Sequence, residues 1–264
     1  MSTWFLLPHL AGLRLAGPDA LAFAHSQFTR AFSHETAEGW GLTAWCNPKG
    51  KSIAVILARR NENDVDLVVP RQQVELLARS LKMYAIGRKL EFTSEPAVSG
   101  SFTPSDSLRA MTVGTERALD LGRPDSRSDD DAIAAWRVQD VCAGIAWLAP
   151  ESSGQFLPQA LGLEERGGLS YRKGCYPGQE VIARVHFLGR AKQRLAGFRL
   201  RGPKPPDEAS VFDEKGAKCG VVLTSEPARD GRIGLAVVSA GLADQTIVLC
   251  CQREMTLLPP SSLC

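Results

Sequence analysis

The sequence of 264 residues lacks any apolar run near the roughly 20 residues that a bilayer-spanning helix requires. A short apolar stretch at 4–7 is stopped by Pro8, and neither a basic leader nor a cleavage-site pattern accompanies it. A secretory signal is therefore not expected. We predict a cytoplasmic protein without a membrane partner.

Paired cysteine motifs are also missing. The seven cysteines are scattered, no Cys-x-x-Cys spacing occurs, and the four histidines are not grouped with them. This pattern excludes a zinc or iron–sulfur site built by this chain alone, so we expect no metal. The odd number of cysteines in a chain without a signal argues against a disulfide framework.

A strong charge of either sign is absent as well, because the formal net charge is only +2. We therefore expect no broad nucleic-acid surface, and a pure RNA-binding module is the least favoured of the functions considered below. The apolar content of 44% and charged content of 23% are those of a globular protein. The length favours one large domain with a smaller one.

The N-terminal half alternates strand and helix patterns. Apolar residues recur at helical spacing over 20–32 and again after Pro70, so both segments are predicted to be helices. Strands are predicted at 12–16, 42–46, 52–58, 64–69 and 90–93. This order predicts an α+β fold with helices packed on a mainly antiparallel sheet.

The middle of the chain is predicted to be less regular. The Ser- and Pro-rich segment 95–107 is predicted to be a loop. Asp129 to Asp131 suit a helix start by N-capping, so a helix is predicted over 132–143. The segment 150–171 is irregular, and a short helix is predicted over 179–187.

The C-terminal part has short strand patterns separated by turns. They are predicted at 194–200, 218–224, 232–238 and 245–250, a spacing typical of a small β-barrel. We place the boundary near Gly189, which divides the chain into 1–189 and 190–264.

The most unusual segment is K-G-C-Y-P-G-Q-E at 173–180. Gly174 and Gly178 allow a tight turn or a close backbone approach. Cys175 and Tyr176 place a thiol beside an aromatic ring, and Gln179 opens a helix whose amides could meet an anion. From the residues alone, an ordinary capped loop with a buried cysteine remains an equally open interpretation.

This octapeptide resembles the signature of the YgfZ family, folate-binding relatives of the glycine-cleavage T-protein, an aminomethyltransferase. The flanking segments 153–159 and 181–184 resemble the family too, as do 17–20, 27–29 and 49–51. The resemblance implies a T-protein-like fold: a ferredoxin-like antiparallel sheet with helices, two interleaved lobes within 1–189, and a C-terminal barrel. Together these would form a three-lobed ring around a channel for tetrahydrofolate or a derivative.

The resemblance also implies a role. Family members support the assembly or repair of iron–sulfur enzymes, including a tRNA methylthiotransferase, and thereby tRNA modification. The implied partners are folate and such iron–sulfur enzymes. The alternative is a folate-dependent one-carbon transferase, an enzyme in the ordinary sense.

Trp136 matches a family tryptophan that contacts folate, although ordinary core packing remains open for it. A second such tryptophan corresponds to Leu10 here. Lys49 and Arg184 belong to basic clusters that could hold the glutamate tail of a folate, or could be solvated surface. Glu180 could accept hydrogen bonds from the pterin, or serve only the helix start.

In the octapeptide, the resemblance makes Cys175 the favoured functional thiol, with its role unresolved. Lys173 could lower the pKa of this thiol, and His186 would have to fold back to form a Cys/His dyad. The resemblance assigns the remaining cofactor contacts to Lys173, Gly174, Tyr176, Gly178 and Gln179.

True aminomethyltransferases place a catalytic aspartate in a region that corresponds here to 42–49. This chain offers Asn47 there and no carboxylate. An amide cannot act as a general base at neutral pH, so the sequence favours an accessory protein over a transferase.

Overall fold

The structure, a computed structural model, describes residues 4–33, 39–95, 97–103, 109–114, 116–123, 126–189, 191–206 and 209–263. Within these residues lie three sheets and four α-helices. No helix in this part of the chain has the length and apolarity to cross a membrane.

The strands of the N-terminal part follow one another closely, and α1 and α2 interrupt them. They are β1 (Phe5–Leu6), β2 (Leu10–Ala16), β3 (Gly41–Cys46), β4 (Ser52–Asn61), β5 (Asp64–Pro70), β6 (Glu91–Glu95), β7 (Val98–Ser101) and β8 (Ala118–Leu121). The helices are α1 (Ala20–Gln27), α2 (Arg71–Tyr84), α3 (Asp130–Cys142) and α4 (Gln179–Leu188). The C-terminal strands are β9 (Gln193–Leu200), β10 (Ser210–Phe212), β11 (Lys218–Ala228), β12 (Gly231–Ser239), β13 (Ile247–Cys250) and β14 (Arg253–Leu258).

The largest sheet has five antiparallel strands in the order β3-β4-β5-β2-β6. Both of its faces are buried, as the alternation along β4 shows. Ile56 belongs to the core shared with α1 and α2, whereas Val55 and Leu57 belong to the main core on the opposite face. The predicted antiparallel sheet carrying helices is confirmed, and its centre is buried on both sides.

A second sheet, in the order β1-β7-β8, lies against the main core together with α3. A buried ion-pair network joins it to the five-stranded sheet. The Arg59 guanidinium, only 4% exposed, contacts Asp66 at 2.9 Å and Asp120 of β8 at 3.3 Å. Charges at this depth are tolerated because each is paired, so the network fixes how the two sheets meet.

The third unit is a closed six-stranded barrel in the order β10-β11-β12-β9-β14-β13, as predicted. It has its own core and also packs on α3 through β11 and β12. The second sheet, through β1, and the barrel therefore both pack on α3. The boundary near Gly189 stays a prediction; β9 begins four residues later, at Gln193.

The helix predicted over 20–32 is too long, because α1 ends at Gln27. Phe28 is extended and forms an isolated bridge with Trp45 at the edge of β3. Thr29 then donates its amide to the carbonyl of Ala44 at 3.0 Å. Pairing with the sheet edge replaces the last helical turn, although Phe28 and Phe32 still meet with ring centroids 6.0 Å apart.

The loop predicted over 95–107 is also wrong in part, because 98–101 form β7 in the middle of the second sheet; residues 96 and 104–108 lie outside the described residues. Small residues in this strand make room for a large neighbour. A Cβ on Gly100 would lie 2.7 Å from the ring of Trp136. A small residue that contributed to the loop prediction is instead needed here so that the ring of Trp136 can pack on the strand.

Most described cysteines are free thiols, namely Cys46, Cys175, Cys219, Cys250 and Cys251. Cys142 is disulfide-bonded, and the sequence pattern, which argues against a disulfide framework, did not single it out. Within the described ranges, no group of three or more His, Cys, Asp or Glu side chains is arranged to hold a metal ion.

Candidate functional site

The segment 173–180, called here the signature loop, leads into α4 and lies against the β3–β4 turn. Gly178 has φ 79° and immediately precedes the helix. A Cβ at this position would lie 2.5 Å from both the carbonyl oxygen of Asn47 and the Cα of Gly50. The close approach therefore requires glycine, as predicted. Gly174 has open space around it and no such requirement.

Asn47 builds the turn that the signature loop contacts. Its Oδ1 accepts hydrogen bonds from the amides of Lys49 and Lys51, both at 3.0 Å. Asparagine is favoured in such turns because its side chain can replace a backbone acceptor. The side chain of Asn47 is thus used here for turn formation. The side chain of Lys49 is exposed.

Lys173 anchors the signature loop to the end of α1. Its ammonium donates to the backbone carbonyls of His25, Phe28 and Arg30, the last at 3.1 Å, and lies 4.8 Å from the ring centroid of Tyr176. Burial lowers the pKa of Lys173 to about 7, whereas the three carbonyl acceptors favour the protonated form. The geometry gives this lysine an anchoring contact in place of a contact with Cys175.

Cys175 itself is an exposed free thiol. His186, the predicted dyad partner, is engaged elsewhere: its Nδ1 lies 2.5 Å from a carboxylate oxygen of Glu164, and its ring stacks on Tyr171 at 3.8 Å. The structure therefore does not form the Cys175/His186 dyad. On α4, Glu180 and Arg184 are exposed and Gln179 is half-buried.

Tyr176 points inward from the signature loop and belongs to the main core. Burial raises the pKa of its hydroxyl above the usual range. The hydroxyl has no hydrogen-bond partner within the described residues. This ring is a packing residue that holds the loop on the core, and it leaves Cys175 at the surface.

Trp136 is completely buried in the main core. Its ring packs edge-on to Phe5 at 5.9 Å, and the guanidinium of Arg117 lies 4.4 Å from its centroid. Of the two alternatives left open by the sequence, the structure places this tryptophan in core packing. The helix α3, which carries Trp136, nevertheless borders a cavity with a different face.

That cavity, called here the central cavity, has a volume of about 190 Å³ and lies where the five-stranded sheet, α3 and the barrel meet. Leu10, the residue at the family's second tryptophan position, lines it. Its apolar wall includes Val141, Ile145, Leu148 and Leu223. Its polar lining includes His9, Arg137, Asp140, Trp147, Lys204 and Glu226.

The polar groups of α3 in this cavity are held in fixed positions. Asp140 accepts a hydrogen bond from the buried Arg117 at 2.7 Å and another from the Trp147 indole nitrogen at 3.0 Å. Both carboxylate oxygens are thus engaged, and the Trp147 ring is oriented by its own N–H. Arg137, one turn earlier on α3, forms an ion pair with Glu226 of β11 at 3.1 Å.

Two groups in the central cavity have perturbed protonation. Burial raises the pKa of Glu226, and nearby Arg137 and Arg232 partly oppose this shift. Burial lowers the pKa of His9 to about 4, although Asp140 favours its protonation. Neither ring nitrogen of His9 has a hydrogen-bond partner within the described part of the chain. Perturbed groups of this kind in a cavity are typical of ligand sites.

The sequence therefore located part of the site and missed part of it. None of the residues of the signature loop lines the central cavity. The polar residues that line the cavity were not predicted. Leu10, an apolar residue of the lining, was singled out only through the family resemblance. Arg137 and Asp140 stand one turn apart on the predicted helix, but nothing in the sequence shows which face of that helix meets the barrel.

No protein-family model matches the chain. It is 27% identical over 264 residues to the tRNA-modifying protein YgfZ of Escherichia fergusonii, covering 85% of this chain and 81% of that protein. The protein of the same name from Cronobacter sakazakii is 26% identical, with 85% and 80% covered. An uncharacterized protein of Haemophilus influenzae is 28% identical over 254 residues, with 90% and 89% covered.

Among solved structures, the fold matches the glycine cleavage system aminomethyltransferase T from Bartonella henselae. The TM-score is 0.74, and the match covers 98% of this chain and 86% of that one. At 13% identity this match shows the fold alone. Similarity to the YgfZ proteins along most of the sequence, together with this fold, confirms the predicted resemblance: the chain is similar to the YgfZ proteins and has the fold of the glycine-cleavage aminomethyltransferase.

Proposed function

We propose that this protein is a cytoplasmic, tetrahydrofolate-binding accessory factor that supports iron–sulfur enzymes and thereby tRNA modification, with the central cavity as its folate site. The observation that carries the proposal is the presence of buried, incompletely satisfied polar groups in that cavity. His9 offers two ring nitrogens without partners, beside a carboxylate and an indole. Buried polar atoms are normally hydrogen-bonded, so such groups favour a ligand.

The chemistry of the lining fits a reduced pterin. Glu226 is a carboxylate acceptor for the amino and ring N–H groups that a pterin presents. Trp147 provides an aromatic surface fixed by Asp140. The volume of about 190 Å³ is below the range of about 300–1,000 Å³ for whole-ligand pockets. We therefore assign the bicyclic ring to the cavity and the glutamate tail to its opening, near Arg137 and Lys204.

The accessory role is favoured over one-carbon transfer by Asn47. Its side chain closes a turn through two backbone hydrogen bonds, and it cannot act as a general base. Bound folate would supply the one-carbon chemistry, whereas the residues of this chain bind and orient it. The relation to tRNA modification is supported by the similarity of this chain to the tRNA-modifying proteins YgfZ. Cys175, exposed beside α4, is a thiol accessible to an iron–sulfur client.

Folate binding by calorimetry, with matched glutamine variants, tests the location. We expect Glu226→Gln to weaken tetrahydrofolate binding about tenfold or more, because a charge-assisted hydrogen bond is lost. Glu180→Gln, on the exposed start of α4, should bind as the wild type does. Normal binding by Glu226→Gln with a loss in Glu180→Gln would move the site to the signature loop.

Two further measurements separate the accessory factor from a transferase. An aminomethyl-transfer assay with bound folate should show no turnover, and repeated turnover would contradict the accessory role. Cys175→Ala should fold and bind folate normally, yet fail to restore tRNA methylthiolation in a strain that lacks this protein. Full restoration by that variant would remove Cys175 from the mechanism.

A further inference from the structure

The tip of the β13–β14 hairpin carries two adjacent free thiols. Cys250 is the last residue of β13, and Cys251 occupies the first position of the two-residue turn. The Cys250 thiol donates a hydrogen bond to the sulfur of Cys251, with the two Sγ atoms 3.8 Å apart. The two sulfurs are therefore in contact at the tip of the hairpin. Neither the folate site nor Cys175 includes this pair.

The backbone holds this arrangement in place. Cys251 and Gln252 have φ of 52° and 61°, the left-handed region that such a tight hairpin turn demands and that glycine or asparagine usually supplies. Arg253 follows the turn and donates from one Nη1 to the carbonyls of Arg201 and Pro203, both at 2.9 Å. The turn that carries the thiols is thus held in place by the hydrogen bonds of Arg253.

The two thiols differ in access. Cys250 is fully buried in the barrel core, whereas Cys251 is exposed. Burial raises the pKa of the Cys250 thiol to about 11, while Arg253 acts in the opposite direction. A reagent therefore reacts first with Cys251. Cys250 reacts second, with the reagent that is already bound to Cys251.

The separation of the sulfurs fits a shared ligand. Two thiolates on one pyramidal trivalent arsenic lie somewhat closer than the 3.8 Å that separates these sulfurs, so a small approach of the two sulfurs brings both to one centre. We propose that Cys250 and Cys251 form a chelating dithiol site for soft thiophilic centres, of which trivalent arsenic is the representative. Soft centres prefer sulfur ligands, and two sulfurs on one rigid turn supply them together.

The reaction with an aryl arsenoxide needs no oxidant or reductant. The Cys251 S–H bond and then the Cys250 S–H bond break, and two As–S bonds form. The two protons join the oxide oxygen, which leaves as water, and arsenic keeps its aryl group and its oxidation state. Because the second step is intramolecular, the chelate outlasts a single thiol adduct.

Phenylarsine oxide tests the proposal on the intact protein. The chain is treated with the reagent, washed with an excess of a monothiol, and weighed by mass spectrometry with peptide mapping. We expect one phenylarsenic group retained on the peptide that contains 250–251, and its release by a dithiol. Cys175→Ser should retain the group equally, because a lone thiol adduct is removed by the wash.

Cys251→Gly is the decisive variant, because glycine adopts the turn's positive φ without strain and preserves the hairpin. It should lose retention completely while its thermal unfolding matches that of the wild type. Cys251→Ser should behave in the same way. Retention by either variant at the wild-type level, or loss of the group from wild type during the monothiol wash, would overturn the proposal.

Discussion

The signature loop and the central cavity differ in how their titratable side chains are paired, although each also holds a buried polar atom without a partner within the described residues, the Tyr176 hydroxyl in the loop and the His9 ring nitrogens in the cavity. In the loop, the Lys173 ammonium is satisfied by three carbonyls and the neighbouring Asn47 closes its own turn. In the cavity, the two ring nitrogens of the half-buried His9 have no partner within the described residues, and burial raises the pKa of Glu226 despite its ion pair with Arg137. Buried polar groups that are hydrogen-bonded stabilise the local conformation, whereas buried polar atoms without partners favour the binding of a ligand. The most recognisable sequence segment thus positions one exposed thiol, whereas the ligand site that we propose is the central cavity.

The largest effect is expected in the cavity wall, at Asp140. Replacing it with alanine leaves the buried Arg117 guanidinium without its carboxylate. Breaking a buried pair in this way costs about 3–5 kcal/mol of the free energy of unfolding. Urea denaturation should show this loss for Asp140→Ala. The control is Asp130→Ala in the exposed first turn of α3, which should cost less than about 1 kcal/mol.

The next effect is a pH dependence at His9. The pKa of His9 in the folded protein, about 4, lies below the ordinary 6.5. Between these two pH values His9 is mainly protonated in the unfolded chain and mainly neutral in the folded protein. Stability falls as the pH drops from about 6.5 to 4, by up to about 3 kcal/mol. His9→Gln should reduce this loss, measured by denaturation at several pH values. An unchanged acid dependence in this variant would contradict a buried neutral His9.

On the loop side, Lys173→Met should destabilise the protein by about 2 kcal/mol, because it leaves buried carbonyls without a donor. The matched control is Lys49→Met, whose side chain is exposed and should change stability by no more than about 0.5 kcal/mol. Equal stability of the two variants would show that the contacts of Lys173 with the end of α1 contribute nothing.

The smallest effect is expected at the exposed thiol. Cys175→Ser should change the free energy of unfolding by less than about 0.5 kcal/mol. It should also leave the dissociation constant of tetrahydrofolate unchanged, because Cys175 does not line the central cavity. Calorimetry of this variant beside Glu226→Gln sharpens the contrast between the two regions. Weaker folate binding by Cys175→Ser would show that loop and cavity act as one site.

Much of the fold was predictable from local patterns. The strands over 42–46 and 52–58 are short apolar runs separated by turn residues, the pattern of strands that are buried on both faces. The start of α3 was predictable because Asp129 caps it, accepting from the amide of Ala132 at 2.9 Å. Strand β7 was not, because its small residues are explained only by the Trp136 ring that covers Gly100.

The candidate site likewise has features that local sequence predicts and features that only tertiary packing creates. The sequence by itself determined the glycine at 178, the turn at Asn47 and the thiol at Cys175, because each depends on neighbours a few residues away or on a recognisable string. Only the tertiary structure decided that α3 turns Arg137 and Asp140 toward the barrel and buries Trp136. The physical reason is that a cavity is defined by surfaces from His9, α3 and Glu226, which are far apart in the chain and meet only when the lobes pack.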